Sequence, residues 1–471
     1  MVRQFSRLLI ALNLLFLGFF SNAQNSIEGD WYGVINVMGT EMRLSYTFTI
    51  SGDTLKATMG SLDQGVFGIP MEKVELLKDK LIITQSSMLL KYKGVVNEDF
   101  TQIKGIYAQS GQEFKLNLGR KKIEKKVLVR PQELNPPFPY YSEDVSFVNK
   151  KESLTLSGTL TLPSKEGKYP VVVLISGSGA QDRNEELLGH KPFLVLSDFL
   201  TRKGIGVLRY DDRGTAKSTG SHSTATTADF ATDVEAAIDY LKKRKDIDKK
   251  KIGLIGHSEG GLIAPMVAVN RKDVSFIVML AGPGIPGDEI LIEQGKLIAL
   301  AEGKDSATVI KDANVAKQMY TIINNDTQEE AKVKLTEFIR NEIDGLSEEE
   351  KKSIPDVEGI INSKVNTLNN VWFRYFLSYD PRPTLQKLRV PLLAINGEKD
   401  LQVPFEANLE AIKEAVPSNE FNLIKAIPKL NHLFQTSDTG AVSEYGELEE
   451  TFSPIALGII SDWLLSIIEE L

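Results

Sequence analysis

Residues 251–264 read Lys-Ile-Gly-Leu-Ile-Gly-His-Ser-Glu-Gly-Gly-Leu-Ile-Ala. Lys251–Ile255 is short and mostly apolar, the texture of a strand buried on both faces. Gly256-His257-Ser258-Glu259-Gly260 conforms to G-x-S-x-G and occurs once in the chain. Gly261-Leu262-Ile263-Ala264 can open a helix. A strand, a turn this tight and a helix form the elbow that exposes a serine at a sheet edge. Glycine is needed on both sides, at Gly256 and Gly260, because a side chain there would strike the neighbouring strand or helix. Ser258 then stands over the free N–H groups of a helix N-terminus.

Working outward, apolar strands alternate with helical segments. Val171–Ile175 and Gly206–Arg209 read as buried strands, with an amphipathic stretch, Phe193–Lys203, between them. Helix Thr227–Lys243 precedes the elbow strand, and strand Phe276–Leu280 follows its helix. This alternation predicts parallel βαβ units. It halts near Gly287, and residues 288–378 are charged and helical. Strand Pro391–Asn396, helix Phe405–Glu414, strand Phe421–Ala426 and helix Pro454–Glu469 resume it. The pattern predicts one α/β domain over 142–471, opened by a hairpin at 144–162 and interrupted by a helical insertion.

The amino-terminal third has another texture. Met42, Leu44, Tyr46, Phe48 and Ile50 alternate with polar residues, and similar short runs recur to Leu118. Period two with frequent turns predicts a small antiparallel all-β domain, barrel or sandwich, over 24–120. Residues 121–141, with Pro131, Pro136, Pro137 and Pro139, read as a stiff linker. Arg3 and Arg7, the apolar run Leu8–Phe20 and Ser21-Asn22-Ala23 predict a secretory signal over 1–23, cleaved after Ala23. That run is too short to span a bilayer, which needs about 20 residues.

Composition narrows the function classes. The chain has 471 residues, of which 42% are hydrophobic and 25% charged, and a formal charge of −8. An acidic chain lacks the basic footprint of a nucleic-acid binder. With no cysteine, disulfides and thiolate chemistry are excluded. No H-E-x-x-H or close histidine pair suggests a metal, and no cofactor is expected. Gly282-Pro283-Gly284-Ile285-Pro286-Gly287 matches G-x-G-x-x-G, but its prolines remove donors a dinucleotide would need.

A serine hydroxyl needs a base. Of His190, His222, His257 and His432, only His432 follows Ser258 with an acid between them, the order this elbow requires. The acid is Asp400, in the loop after Leu392–Asn396, with Glu398 as its rival in the same loop. His257 packs behind the elbow, and His190 and His222 are structural or line a substrate site. Oxyanion donors are expected from the backbone of Glu259 and from the loop Ser176-Gly177-Ser178-Gly179-Ala180, with Ser178 first and Gly179 next.

These landmarks resemble the α/β-hydrolase superfamily, and more narrowly its serine aminopeptidase-like and cinnamoyl-esterase-like hydrolases. Gly256–Gly261, Asp211-Asp212-Arg213-Gly214 with Ser218-Thr219-Gly220, Asn396-Gly397 through Asp400, and Asn431-His432 carry the likeness, from about Asp144 to the end. The resemblance implies a mostly parallel sheet flanked by helices, with residues 288–378 as a cap over the site. Where relatives carry His-Gly at the oxyanion loop, this chain has Ser176-Gly177. Asp182-Arg183-Asn184 is expected near the same mouth, and Asp212-Arg213 as a buried structural pair. The implied activity is hydrolysis of a small-molecule carboxylic ester through an acyl-enzyme. A serine aminopeptidase, with Glu289 or Glu293 binding an amine, is the first alternative, then a thioesterase and a non-catalytic binding protein on the same scaffold.

Overall fold

In the computed structural model, residues 26–471 are described apart from 38, 39, 53, 110, 111, 125–128 and 355. The expected signal at 1–23 lies outside the described residues. The chain divides near residue 126 into two units.

The amino-terminal unit holds strands β1 (Gly29–Val37), β2 (Thr40–Ser51), β3 (Thr54–Ser61), β4 (Val66–Pro70), β5 (Lys73–Leu77), β6 (Lys80–Gln85), β7 (Leu90–Val96), β8 (Gln102–Gln109) and β9 (Gln112–Gly119). They form a single sheet in the order β4-β3-β2-β1-β9-β8-β7-β6-β5. Its pairings run antiparallel, as in Tyr46 opposite Met59 and Tyr92 opposite Tyr107. The sheet curls far enough for β3 to touch β5, so it is a half-barrel rather than a two-sheet sandwich. Alternation puts Trp31, Tyr46, Phe48, Ile83, Tyr92 and Leu116 into one core. Strands β4 and β5 escape the sequence reading because they are short and largely exposed, and Gly68 and Pro70 interrupt the period.

The second unit is built on an eight-stranded sheet. Its strands are β10 (Tyr141–Asn149), β11 (Leu154–Leu162), β12 (Tyr169–Ile175), β13 (Gly206–Tyr210), β14 (Ile247–His257), β15 (Phe276–Leu280), β16 (Leu392–Gly397) and β17 (Leu423–Ile427). Their order is β10-β11-β13-β12-β14-β15-β16-β17. Strands β10 and β11 form an antiparallel hairpin, and β11 pairs antiparallel with β13. From β13 to β17 the pairing is parallel.

Helices cover both faces. Their ranges are α1 (Pro192–Arg202), α2 (Thr227–Leu241), α3 (Gly260–Asn270), α4 (Gly287–Ala301), α5 (Ser306–Asn325), α6 (Gln328–Asp344), α7 (Glu348–Ser353), α8 (Val357–Leu368), α9 (Val371–Ser378), α10 (Arg382–Leu385), α11 (Phe405–Ala415) and α12 (Pro454–Glu470). Val171, Val173 and Ile175 of β12 pack with residues of α2 and α3, and Val172 and Leu174 pack with residues of α1 and α12. Period two thus feeds two cores, which explains the unbroken apolar run. Burying each such side chain is worth about 1.5–3 kcal/mol.

Strand β12 lies between β13 and β14, so the chain leaves it on one side and later returns on the other. That reversal opens a crevice at the carboxyl ends of β12 and β14, where ligands settle in open α/β sheets. Helices α4–α9 form the insertion, with a small core of Ile323, Leu335, Ile339 and Ile361.

The proline-rich stretch is not free over its whole length. Gln132 Nε2 donates to Phe452 O at 2.7 Å, and its Oε1 accepts from Thr451 N at 2.7 Å. Arg130 Nη2 donates to Gly446 O at 2.7 Å. Arg130 and Gln132 are therefore tied to the second unit, and the connection ends earlier than composition suggests.

Candidate active site

Ser258 sits at the crevice with φ = 51°, a left-handed value that non-glycine residues rarely adopt. The turn persists because its surroundings over-determine it. Ser258 N donates to Leu280 O at 2.8 Å, and Gly261 N donates to Ser258 O at 2.8 Å. A Cβ on Gly256 would lie 1.9 Å from Gly260 O, and one on Gly260 would lie 2.2 Å from Ile175 O. A Cβ on Gly261 would lie 2.5 Å from Gly282 Cα. The glycines of the elbow are spaces through which backbones pass. The same holds for the G-x-G-x-x-G run, where Gly284 presses on Asn408 O and Gly287 on Phe376 O.

His432 and Asp400 are brought together from loops after β17 and β16. His432 Nδ1 donates to Asp400 Oδ2 at 2.8 Å, and both side chains are buried. Asp400 Oδ1 accepts from Gln402 N at 2.8 Å and Val403 N at 2.9 Å, which aims the other oxygen at the imidazole. Since the carboxylate takes the Nδ1 proton, Nε2 is left to accept. Asn431 holds the histidine loop, its Oδ1 accepting from Leu433 N at 3.0 Å and Gln435 N at 2.9 Å. Glu398 is exposed, and no hydrogen bond joins it to His432 among the described residues.

Ser258, His432, Ser178 and Glu259 line one cavity of about 250 Å³. Trp372 of α9 and Ile290 and Leu291 of α4 close it from the insertion, and Leu433 and Val403 bound it from below. Gly177 N is occupied, donating to Glu185 Oε1 at 2.7 Å. A Cβ on Gly177 would lie 3.1 Å from Ser258 Cβ, which brings this loop against the serine. Gly179, at φ = 96°, turns the chain and is not among the residues lining the cavity.

The buried Glu259 and the half-buried Asp212 flank this centre. Glu259 accepts from Thr227 Oγ1 at 2.7 Å and from Trp372 Nε1 at 2.8 Å, tying the elbow to the insertion. Burial holds its carboxyl above the usual range, with Thr227, Trp372 and Ser178 opposing. Asp212 is pushed up to about 8, first by burial and further by the charges of Glu185 and Glu259. It accepts from Ser176 Oγ at 2.7 Å and Gln181 N at 2.9 Å, pinning the loop that carries Ser178.

The expected Asp212–Arg213 pair does not form. Arg213 binds Asp233 at 2.7 Å, and Asp211 binds Arg183 at 2.7 Å. Successive residues leaving a strand point to opposite sides, so neighbours in sequence find other partners. Asp182, Arg183 and Asn184 stand behind the loop, and it is Gln181 and Glu185 that reach the cavity. Glu289 and Glu293 do not line it, and Glu293 pairs with Lys296 at 3.1 Å. His257 lines the cavity as well as backing the elbow. His190 is buried elsewhere, against Thr451 Oγ1 at 2.8 Å and Tyr445 O at 2.9 Å. His222 stacks on Phe230 with centroids 4.7 Å apart. Among the described residues no cluster of acidic and histidine side chains could hold a metal.

A family model described as serine aminopeptidase, S33 matches residues 192–342, which include the elbow. That match meets a parallel sheet with its serine turn at the switch point. The second unit has the α/β-hydrolase fold. This hydrolase-fold chain is 26% identical to the esterase EstD of Thermotoga maritima over 296 residues, 63% of this chain and 62% of that protein. It is 26% identical over 171 residues to the uncharacterized protein YfhR of Escherichia coli O157:H7, 34% of this chain and 56% of that one. It therefore spans less than two thirds of the length of these curated relatives. Among solved structures, an esterase of Pyrococcus furiosus is 16% identical with a TM-score of 0.41, covering 74% of this chain and 99% of its own. A ferulic-acid-bound Est1E of Butyrivibrio proteoclasticus is 18% identical with a TM-score of 0.39, covering 69% and 99%.

Proposed function

We propose that the chain hydrolyses carboxylic esters of small molecules through an acyl-enzyme on Ser258. The observation that carries this reading is the His432–Asp400 hydrogen bond on the wall of the cavity that also holds Ser258. In the proposed cycle His432 Nε2 takes the Ser258 proton as Oγ attacks the ester carbonyl. The N–H groups of Ser178 and Glu259 receive the oxyanion, whose charge develops only in the transition state. His432 then protonates the departing alkoxide. Water attacks the acyl-enzyme by the same route, while Asp400 holds the imidazole's tautomer and balances its cation.

The lining favours a neutral acyl group. Trp372, Leu291 and Leu433 supply apolar surface, and the cavity of about 250 Å³ suits a short or aromatic chain. An aminopeptidase needs a carboxylate free for the substrate ammonium. Glu259 already accepts from Thr227 and Trp372, and Glu185 from Gly177. One oxygen of each lining carboxyl is thus engaged twice, Glu259 Oε1 by Thr227 and Trp372 and Glu185 Oε1 by Gly177 and His257, which favours the ester.

The test is turnover of p-nitrophenyl esters from acetate to octanoate, beside aminoacyl anilides, by wild type and Ser258→Ala. Ester turnover that falls roughly 10⁴–10⁶-fold in the variant is expected. Anilides outrunning every ester would move the peptidase to the front. Inactivity on both would favour a binding scaffold. Export belongs to the same proposal, on the strength of Arg3, Arg7 and the apolar run Leu8–Phe20. Amino-terminal sequencing of the mature protein should then begin after Ala23. Among the described residues no helix is long and apolar enough to cross a membrane.

A further inference from the structure

We infer that Glu185 and His257 form a second carboxylate–imidazole pair, a clamp that holds the loop of Ser178 and the loop of His432 in register on either side of Ser258. The inference rests on the triad reading above and assigns positioning work to two residues outside the triad.

The geometry is a chain of three hydrogen bonds. Glu185 Oε1 accepts from Gly177 N at 2.7 Å, and His257 Nδ1 lies 2.9 Å from the same oxygen. His257 Nε2 lies 2.9 Å from the carbonyl oxygen of His432. A carbonyl only accepts, so Nε2 carries a proton. With Glu185 as a carboxylate, which only accepts, Nδ1 donates to the same Oε1 that Gly177 N reaches, and His257 is an imidazolium paired with that carboxylate. Both side chains are buried, Glu185 at 5% and His257 at 6% exposure. Burial by itself favours the neutral imidazole. The charge and hydrogen bond of Glu185, with the His432 carbonyl and Asp400, outweigh it and raise His257.

The ends of this chain give it a role. Gly177 immediately precedes Ser178, the proposed oxyanion donor. The carbonyl at the other end belongs to the proposed base itself. The two imidazole rings lie 4.8 Å apart between centroids, so a shift of His257 is felt by His432 directly. Glu185 is held at φ = 52°, a costly conformation that its surroundings must enforce. Asp400 lies on the far side of His432, and Asp212 and Glu259 flank the Ser178 loop, so the pair is set in a ring of carboxyl groups.

The test compares Glu185→Ala, Glu185→Gln and His257→Gln with wild type and Ser258→Ala on the ester that turns over best. Misplacing reacting groups by about 1 Å costs on the order of 100-fold, so Glu185→Ala should lower kcat by about that factor with KM within about threefold. A glutamine side chain retains an accepting oxygen, so Glu185→Gln should recover about tenfold of that loss. A Glu185→Ala enzyme with kcat within about twofold of wild type overturns the clamp. So does failure of Glu185→Gln to exceed Glu185→Ala.

A second measurement stands apart from catalysis and from the folding of the alanine variant. In ¹⁵N-histidine-labelled wild type at neutral pH, the imidazole lost in His257→Gln should be protonated on both nitrogens. Loss of one proton in Glu185→Gln supports the pair, and a singly protonated His257 in wild type refutes it. Because Ser258 takes no part in that spectrum, activity surviving Ser258→Ala would sink the triad reading while the spectrum still decides the pair.

Discussion

Asp212 offers a sharp test of the electrostatics around the Ser178 loop. Half-buried beside Glu185 and Glu259, its carboxyl is pushed up to about 8, so it keeps its proton in the folded protein through neutral pH. In the unfolded chain a free aspartate releases its proton near pH 3.9. Between those values the folded state binds one more proton than the unfolded state, so this residue makes stability fall as pH rises. The slope is about 1.4 kcal/mol per pH unit. In Asp212→Asn the amide oxygen can accept from Gln181 N and the amide nitrogen can donate to Ser176 Oγ, so the loop keeps both links. The stability of Asp212→Asn relative to wild type should therefore grow by about 2.7 kcal/mol from pH 5 to pH 7. Equilibrium urea unfolding at several pH values reads this. Trp372 and Trp463 report the second unit, and Trp31 serves as the internal reference in the first. All other titrations cancel in the double difference. A stability difference that stays constant from pH 5 to pH 7 would show that Asp212 is ionised in the folded protein and would refute the reasoning.

Three further outcomes are expected. His190 behaves with the opposite sign: burial first, and then Arg130, lower it to about 4, so its contribution is intact above the unfolded value of about 6.5 and is lost as pH falls toward 4. Acid unfolding of His190→Gln should lose that dependence, and an unchanged profile would count against it. Gly256→Ala places a Cβ 1.9 Å from Gly260 O, which is backbone and cannot yield, so a loss of about 3 kcal/mol or more should appear in denaturant melts. Wild-type stability there would show that the elbow can open. Trp372→Phe removes the donor to Glu259 and shortens the cavity wall, so ester preference should move toward longer acyl chains, and an unaltered chain-length profile would show that Trp372 does not bound the acyl site.

Much of the fold was legible because local rules and global packing agree. Val171–Ile175 must be buried on both faces to pack as it does, and a residue run can show that without any partner being known. The elbow was legible for a similar reason: Gly256, Gly260 and Gly261 answer contacts within the turn or with its immediate neighbours. Strands β4 and β5 were not, since exposed edge strands need no apolar period and find their place only by pairing.

The candidate site divides along the same line. The proposed base, His432, could be named by elimination, because only one of four histidines follows Ser258 with an acid between them. Which carboxylate meets His432 depends on how the loop after β16 folds, and Gln402 and Val403 N–H groups aim Asp400, not Glu398, at it. Glu185 lay one residue beyond the stretch singled out in the sequence, and the left-handed turn at its own Cα sends its side chain toward Gly177 and His257. The partners of Asp211, Asp212 and Arg213 were undecidable from adjacency. Sequence by itself determined which segments are buried and which turn needs glycine, since those depend on period and local sterics. Tertiary structure alone decided which charges meet, because hydrogen bonds act over about 3 Å and their partners come from loops that are distant along the chain.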